Sequence, residues 1–331
     1  MTGSAAFGVA RARALWDHGP GFLNTASYGL PPKQTIQALR QAQDQWVRGE
    51  VDWDVWTDAT EIARHEFGRL IGVPPNRIAT GAAVSQLLAP VAAAVPDGST
   101  VLVPDIEFSS VVFPFAVHEK RGVTVRTVPL AGFVEAILPG VDVVAVSAVQ
   151  SATGEAIDIA AVASRARAIG ALLVLDATHA ASWVDVHADA IDIGVVAAYK
   201  WLCSPRGTAF QWFAENLADR HPVVADRLIP LAAGWFAGPT IHSANYGMPL
   251  RLADDARRFD ISPAWHCWVG AAPALTVLAN LGSAAIGRTT SRWRTGCSMR
   301  SIDRLGGRRS SALRRTQTPW RRCARPGCGS P

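Results

Sequence analysis

Seven apolar runs punctuate the middle of the chain, at residues 78–81, 101–104, 123–128, 141–147, 172–176, 193–198 and 208–213. Most are near-continuous stretches of Val, Leu, Ile and Ala rather than alternations of apolar and polar positions. A strand with one wet face alternates, whereas a strand covered on both faces does not. The runs therefore predict a sheet enclosed between helices. Apolar residues recur at helical spacing over 33–47, 58–71, 82–95, 109–121 and 159–170, as with Ile62, Phe67, Leu70 and Ile71. Helical segments between buried strands make the fold class α/β, with a mostly parallel sheet. Residues 1–30 show no period, and 214–282 predict turns and short helices. From Ser283 onward both periods vanish, and Arg, Ser, Cys, Gly and Trp dominate.

Charge sharpens that boundary. The net charge of +5 is unevenly placed along the 331 residues. Residues 283–331 hold 12 Arg against one acid, Asp303, whereas the first 282 residues hold 20 basic residues against 26 acids. The body is mildly acidic and the basicity belongs to the tail. Three origins are open for such a tail: a disordered arm, a nucleic-acid-binding arm, or GC-rich coding sequence read out of frame. The last fits the missing apolar pattern best. No nucleic-acid or membrane partner is expected of the body, which has no run of about 18 apolar residues. No charged segment followed by an apolar one opens the chain. Five cysteines, at 203, 267, 297, 323 and 328, are odd in number and lack zinc-ligand spacing. They read as reduced thiols of a cytoplasmic protein, with no metal site.

Only three lysines stand among 29 arginines, and Lys200 directly follows a buried-type strand. A surface lysine is the bland reading of any one lysine. A lysine beside a buried strand loses its proton more easily, because desolvation disfavours the charged form. That makes it a nucleophile that arginine cannot replace. Asp176 ends the preceding apolar run and opens Asp-Ala-Thr-His; alone it reads equally well as a helix N-cap. Together, an acid at one strand end and a lysine after the next suit pyridoxal phosphate. The lysine anchors the aldehyde, and the acid keeps the ring nitrogen protonated. His179 lies three residues past the acid and joins the same set. In Ala-Thr-Gly-Ala-Ala-Val-Ser-Gln (79–86) a strand end passes through glycine into a helix of small residues. Backbone N–H groups of Ala82 and Ala83, with a hydroxyl from Thr80 or Ser85, can hold a phosphate there. Phe108, just past another strand, can stack on an aromatic ring or simply fill core.

These elements, in this order, resemble the class V aminotransferase-like family of fold-type I pyridoxal phosphate enzymes. The matching segments are Leu-Asn-Thr-Ala-Ser-Tyr-Gly (23–29), Ala-Thr-Gly-Ala-Ala (79–83), Glu-Phe-Ser-Ser (107–110), Val-Gln-Ser-Ala-Thr-Gly (149–154), Asp-Ala-Thr-His (176–179), Tyr-Lys (199–200) and Ser-Pro-Arg-Gly (204–207). The resemblance implies a seven-stranded, mostly parallel sheet. It divides the chain into an irregular N-terminal segment (1–30), a large cofactor domain (31–245), the start of a small domain (246–282) and an aberrant tail (283–331). The small domain is expected to be truncated or replaced. Lys200, Asp176 and His179 are implied as catalytic residues. Phe108 would lie on the cofactor ring, Ala82 and Ala83 on its phosphate near Tyr199, and Gln150 or Ser151 on its ring hydroxyl. Ala198 stands where relatives carry a phosphate-binding Ser or His. Asn24 and Tyr28 would border the substrate, and Trp235 would reach a neighbouring subunit's site, which implies a homodimer. The implied reaction is carbon–sulfur cleavage of a cysteine-conjugate sulfoxide. Cysteine desulfurase, aminotransferase and kynureninase-like activities are the rivals, and nucleic-acid binding through the tail is a reading of another class.

Overall fold

The computed structural model describes residues 8–17 and 21–291. In chain order the helices and strands are α1 (Val9–Ala12), α2 (Lys33–Val47), α3 (Trp53–Ile71), β1 (Ile78–Gly81), α4 (Val84–Ala94), β2 (Thr100–Pro104), α5 (Ser109–Ala116), β3 (Thr124–Val128), β4 (Val143–Ser147), α6 (Ile159–Ile169), β5 (Leu172–Asp176), β6 (Ile193–Ala197), β7 (Ala209–Phe213), α7 (Leu217–Arg220), α8 (Pro222–Arg227), α9 (Trp265–Leu281) and α10 (Ser283–Ser291). The seven strands form one sheet in the order β1-β7-β6-β5-β4-β2-β3. β7 is antiparallel to both its neighbours, and the other pairings are parallel.

Burial explains the run-like sequence of the strands. Every residue of β4, β5, β6 and β7 is buried, with helices on both faces. One cluster beneath the sheet joins Phe67, Phe133, Leu173, Phe210, Trp212 and Trp268, and the other joins Leu87, Val91, Val103, Phe115, Val174 and Val195. Phe67 stacks on Phe210 at 4.4 Å between ring centres, which ties α3 to the sheet.

Helix ends follow local chemistry. Asp52 accepts hydrogen bonds from the N–H groups of Asp54 and Val55, so α3 starts at Trp53, ahead of the predicted start at 58. Gly72, at φ 76°, closes it in the left-handed conformation. The predicted helix over 109–121 stops at Ala116, and a short 3-10 turn, Glu119–Arg121, follows.

The largest departure from the sequence pattern is α9. Short helices and turns were the expectation over 214–282, yet α9 is a 17-residue helix packed on α3 and α2. Its apolar residues surround most of the helix, so the one-sided stripe of a surface helix is missing. Residues up to Arg288 form one compact unit, and α9 belongs to it. Helical order also continues past the predicted break at Ser283, to Ser291. Gly287 of α10 lies so close to the Trp183 backbone carbonyl that a Cβ there would overlap it. The remaining tail, 292–331, lies outside the described residues, and with it Cys297, Cys323 and Cys328. Among the described residues no single helix is long and apolar enough to cross a membrane.

Candidate active site

Strand register brings the predicted residues to one end of the sheet. β1 and β6 both run antiparallel to β7, and Gly81, Ala209 and Ala197 occupy one row. The loop after β1 and the loop after β6 therefore emerge side by side. Two rows further in, Asp176 at the end of β5 pairs with Ser147 of β4 and with Val195 of β6.

Lys200 is buried, and its Nζ lies 2.9 Å from His179 Nε2. The amine also sits 5.3 Å from the centre of the Phe108 ring and 5.8 Å from that of Tyr199. Burial lowers the Lys200 pKa; Asp176 pulls it back up and Arg206 pushes it further down. Burial likewise lowers His179 to about 4, with the Lys200 charge adding to the effect. A neutral His179 can accept a hydrogen bond from the lysine amine.

Asp176 is buried and pushed up to about 6, chiefly by burial. Its Oδ1 accepts from the Thr178 N–H at 2.7 Å. Thr178 in turn receives the Ala197 N–H on its hydroxyl at 2.9 Å, which locks the Asp-Ala-Thr-His turn against β6. Asp176 forms no salt bridge among the described residues. A carboxyl so placed is suited to a cation that arrives with a ligand.

Beside Asp176 lies a second carboxylate, Glu107, for which the sequence alone suggests no role. Glu107 accepts from Ser147 N at 2.7 Å, Ser147 Oγ at 2.5 Å, Gln150 Nε2 at 2.9 Å and its neighbour Phe108 N at 2.8 Å. Four donors hold this carboxylate rigidly and set the start of the Phe108 helix. Gln150 is buried, and its Oε1 has no hydrogen-bond partner. Ser151, the other residue expected at this point, is exposed. The acid Glu107 precedes Phe108 in a loop, a position without a period to mark it.

The N-terminus of α4 completes the frame. Ala82 and Ala83 are exposed, and the helix has no side-chain cap and no acid in its first turn. Gln86 Oε1 accepts from Ala82 N at 3.0 Å. The helix dipole and the backbone N–H groups at this terminus favour an anion. Thr80 is buried, and its backbone N–H donates to Asp260, 2.7 Å away. Ala198, where relatives carry a hydroxyl or imidazole, is fully buried.

The segment 23–29 reaches the lysine loop directly. Gly29 N–H donates to the Tyr199 carbonyl at 2.9 Å, and a Cβ at Gly29 would overlap the Lys200 carbonyl oxygen. Glycine is required by this close approach. Tyr28 packs on Tyr199 at 5.7 Å between ring centres and accepts the Arg206 N–H on its hydroxyl at 3.2 Å. Asn24 is exposed and turns the chain through its carbonyl, which receives the Ser27 and Tyr28 N–H groups. Trp235 does not join this group within the chain. Its ring packs against Trp53 and Trp265, and its Nε1 donates to Ser262 at 3.3 Å.

A buried lysine, a buried carboxyl without a salt bridge, an orphaned Gln150 acceptor, an exposed aromatic face and an uncapped helix terminus fit the aldehyde, ring nitrogen, hydroxyl, ring and phosphate of one ligand. The sequence profile of the aminotransferase class-V family matches residues 32–311, and the chain belongs to that family. It is an enzyme, and its cofactor is pyridoxal 5'-phosphate. The chain is 28% identical over 270 residues to the uncharacterized aminotransferase YcbU of Bacillus subtilis (strain 168), covering 78% of this chain and 70% of that one. It is 26% identical over 309 residues to isopenicillin N epimerase of Streptomyces clavuligerus, covering 84% and 73%. In fold it is similar to the cystine C-S lyase C-DES, solved with its product cysteine persulfide, at a TM-score of 0.72 and 17% identity, covering 85% and 78%.

Proposed function

We propose that the protein is a carbon–sulfur lyase that cleaves hercynylcysteine sulfoxide, with ergothioneine, pyruvate and ammonia as the end products. The substrate assignment rests on sequence resemblance. Phe-Leu-Asn-Thr-Ala-Ser-Tyr-Gly (22–29) and Ala-Ala-Tyr-Lys-Trp-Leu-Cys-Ser-Pro-Arg-Gly (197–207) resemble the sulfoxide lyase of ergothioneine biosynthesis. The bound cofactor supplies an electron sink for a carbanion at the substrate α-carbon.

Within this reading the chain's residues have distinct tasks. Lys200 anchors the cofactor and moves the α-proton. His179, at 2.9 Å, holds the amine in line. Asp176 holds a proton on the ring nitrogen, and Gln150 meets the ring hydroxyl. Phe108 covers one ring face, and Ala82 and Ala83 meet the phosphate. Loss of the α-proton and breakage of the Cβ–S bond release the sulfur fragment as a sulfenic acid, which a thiol reductant converts to ergothioneine. The three-carbon remainder takes up water and leaves as pyruvate and ammonia. By resemblance, Trp235 serves a neighbouring subunit's site in a homodimer, and residues 31–245 act as the large domain.

The observation that favours a lyase over a desulfurase is the state of the two described thiols. A desulfurase must pass sulfur to a mobile cysteine. Cys203, three residues past Lys200, has its thiol enclosed although the residue as a whole is half-buried, and burial pushes it up to about 12. Cys267 sits on α9 with its thiol donating to the Arg206 carbonyl at 3.2 Å. Neither is a free thiolate. The test is to incubate the cofactor-loaded enzyme, with a thiol reductant, separately with hercynylcysteine sulfoxide and with L-cysteine. Pyruvate and ergothioneine from the first, lost in Lys200→Ala, support the lyase. Alanine and protein persulfide from the second, with no pyruvate from the first, reject it.

A further inference from the structure

Trp183 closes a circuit that runs through both reactive bases of the site. Its indole Nε1 donates to the His179 carbonyl at 2.7 Å, and its ring packs on that of Trp201 at 5.4 Å between centres. Trp201 directly follows Lys200, whose Nζ lies 2.9 Å from His179 Nε2. The contacts thus lead from His179 to Trp183, to Trp201, to Lys200 and back to His179. The loop after β5 and the loop after β6 are joined twice: at the reacting groups by a hydrogen bond, and behind them by two stacked indoles.

Backbone hydrogen bonds over 177–184 explain the need for that indole. The Ala177 carbonyl accepts the Ala180 and Ala181 N–H groups, and the Ala180 carbonyl accepts those of Trp183 and Val184. No backbone N–H among the described residues reaches the carbonyl of His179, a buried residue. A buried carbonyl without a donor is costly, and the Trp183 indole is the donor it has. Trp183 is itself backed by α10, whose Gly287 lies against its backbone carbonyl. We propose that Trp183 is a positioning residue, which holds the His179 and Lys200 loops at the spacing that keeps the imidazole on the lysine amine. It touches neither reacting group's nitrogen and acts through His179. The proposal rests on the roles given above to Lys200 and His179, and not on the identity of the sulfur substrate.

Cofactor capture rather than turnover is the test. Full-length protein freed of cofactor is mixed with pyridoxal phosphate, and the growth of visible absorbance gives the rate. Trp183→Phe keeps a ring beside Trp201 and removes the donor. It is expected to slow capture by roughly 3- to 10-fold, the size of one lost hydrogen bond. His179→Phe should slow capture at least as much. Trp183→Phe added to His179→Phe should slow it no further, because the group that Trp183 aims is gone. Should Trp183→Phe not fold, β-(3-benzothienyl)-L-alanine at position 183 removes the donor at constant shape and is read in the same way. Capture at the parent rate without the donor overturns the proposal. So does the same slowing in the parent and in the His179→Phe background, which marks general damage, and so does a His179→Phe protein that captures at the parent rate. Since no substrate enters this assay, a protein that meets these expectations yet cleaves no sulfoxide refutes the lyase reading alone.

Discussion

His179 Nε2 lies 2.9 Å from Lys200 Nζ, both groups are buried, and burial holds both toward their neutral forms. A neutral imidazole acceptor can orient the lysine amine through a hydrogen bond without adding a charge to the core. His179→Phe keeps the ring volume and removes the acceptor. The variant should still bind pyridoxal phosphate, while kcat falls by about 100-fold or more, as for the loss of a positioned proton partner. Steady-state kinetics beside the visible spectrum separate these effects.

Asp176 makes stability and activity oppose one another. Its pKa is about 6 in the folded, cofactor-free protein against an ordinary 3.8. A raised carboxyl favours the fold while protonated, so its contribution is complete below pH 3.8 and is lost as pH rises through about 6. Above about pH 7, cofactor-free Asp176→Asn should therefore be more stable than the parent by about 1–3 kcal/mol, from its shift at ~1.4 kcal/mol per pKa step. Its holoenzyme should lose about 2.7–4 kcal/mol of transition-state stabilisation. His179 acts with the other sign: its contribution is complete above pH 6.5 and is lost as pH falls through about 4. In the parent the two partly cancel between those limits, so Asp176→Asn should lose stability on acidification more steeply. Urea melts across pH read both.

Gly29 is the point where the N-terminal segment touches the lysine loop. Gly29→Ala places a methyl group on the Lys200 carbonyl, so one backbone must move. The expected cost is roughly 1–3 kcal/mol, as for overpacking, together with weaker cofactor binding. Urea midpoints and a cofactor titration measure each part.

The outer edge of β1 is held by a buried ion pair rather than by another strand. Arg64 donates to the Ile78 carbonyl and to Asp260, with Nη2 at 2.5 Å from Oδ2, and Asp260 receives the Thr80 N–H. Both side chains are about 1% exposed, so little solvent screens them. Arg64→Met leaves Asp260 buried and alone and should cost about 3–5 kcal/mol. Because β1 leads into Gly81 and Ala82, cofactor affinity should fall as well.

The sheet was readable because strands covered on both faces must be continuously apolar, and all seven runs became strands. Lys200 and Asp176 were readable because each ends or follows such a run. Glu107 and Gln150 were not singled out, or only as alternatives, because they sit in loops where no period marks a side chain's direction. Glu107 is fixed by a partner far along the chain, Ser147. Helix α9 escaped for the opposite reason, since its apolar residues face several neighbours and leave no stripe.

The central claim is that Lys200 anchors the cofactor. It is tested by loading the protein with pyridoxal phosphate, reducing with borohydride and mapping the labelled peptide by mass spectrometry. The expected result is a single label on Lys200, and no retained visible absorbance in Lys200→Ala. A label on Lys33 or Lys120 instead, or an unlabelled and colourless parent protein, would contradict it.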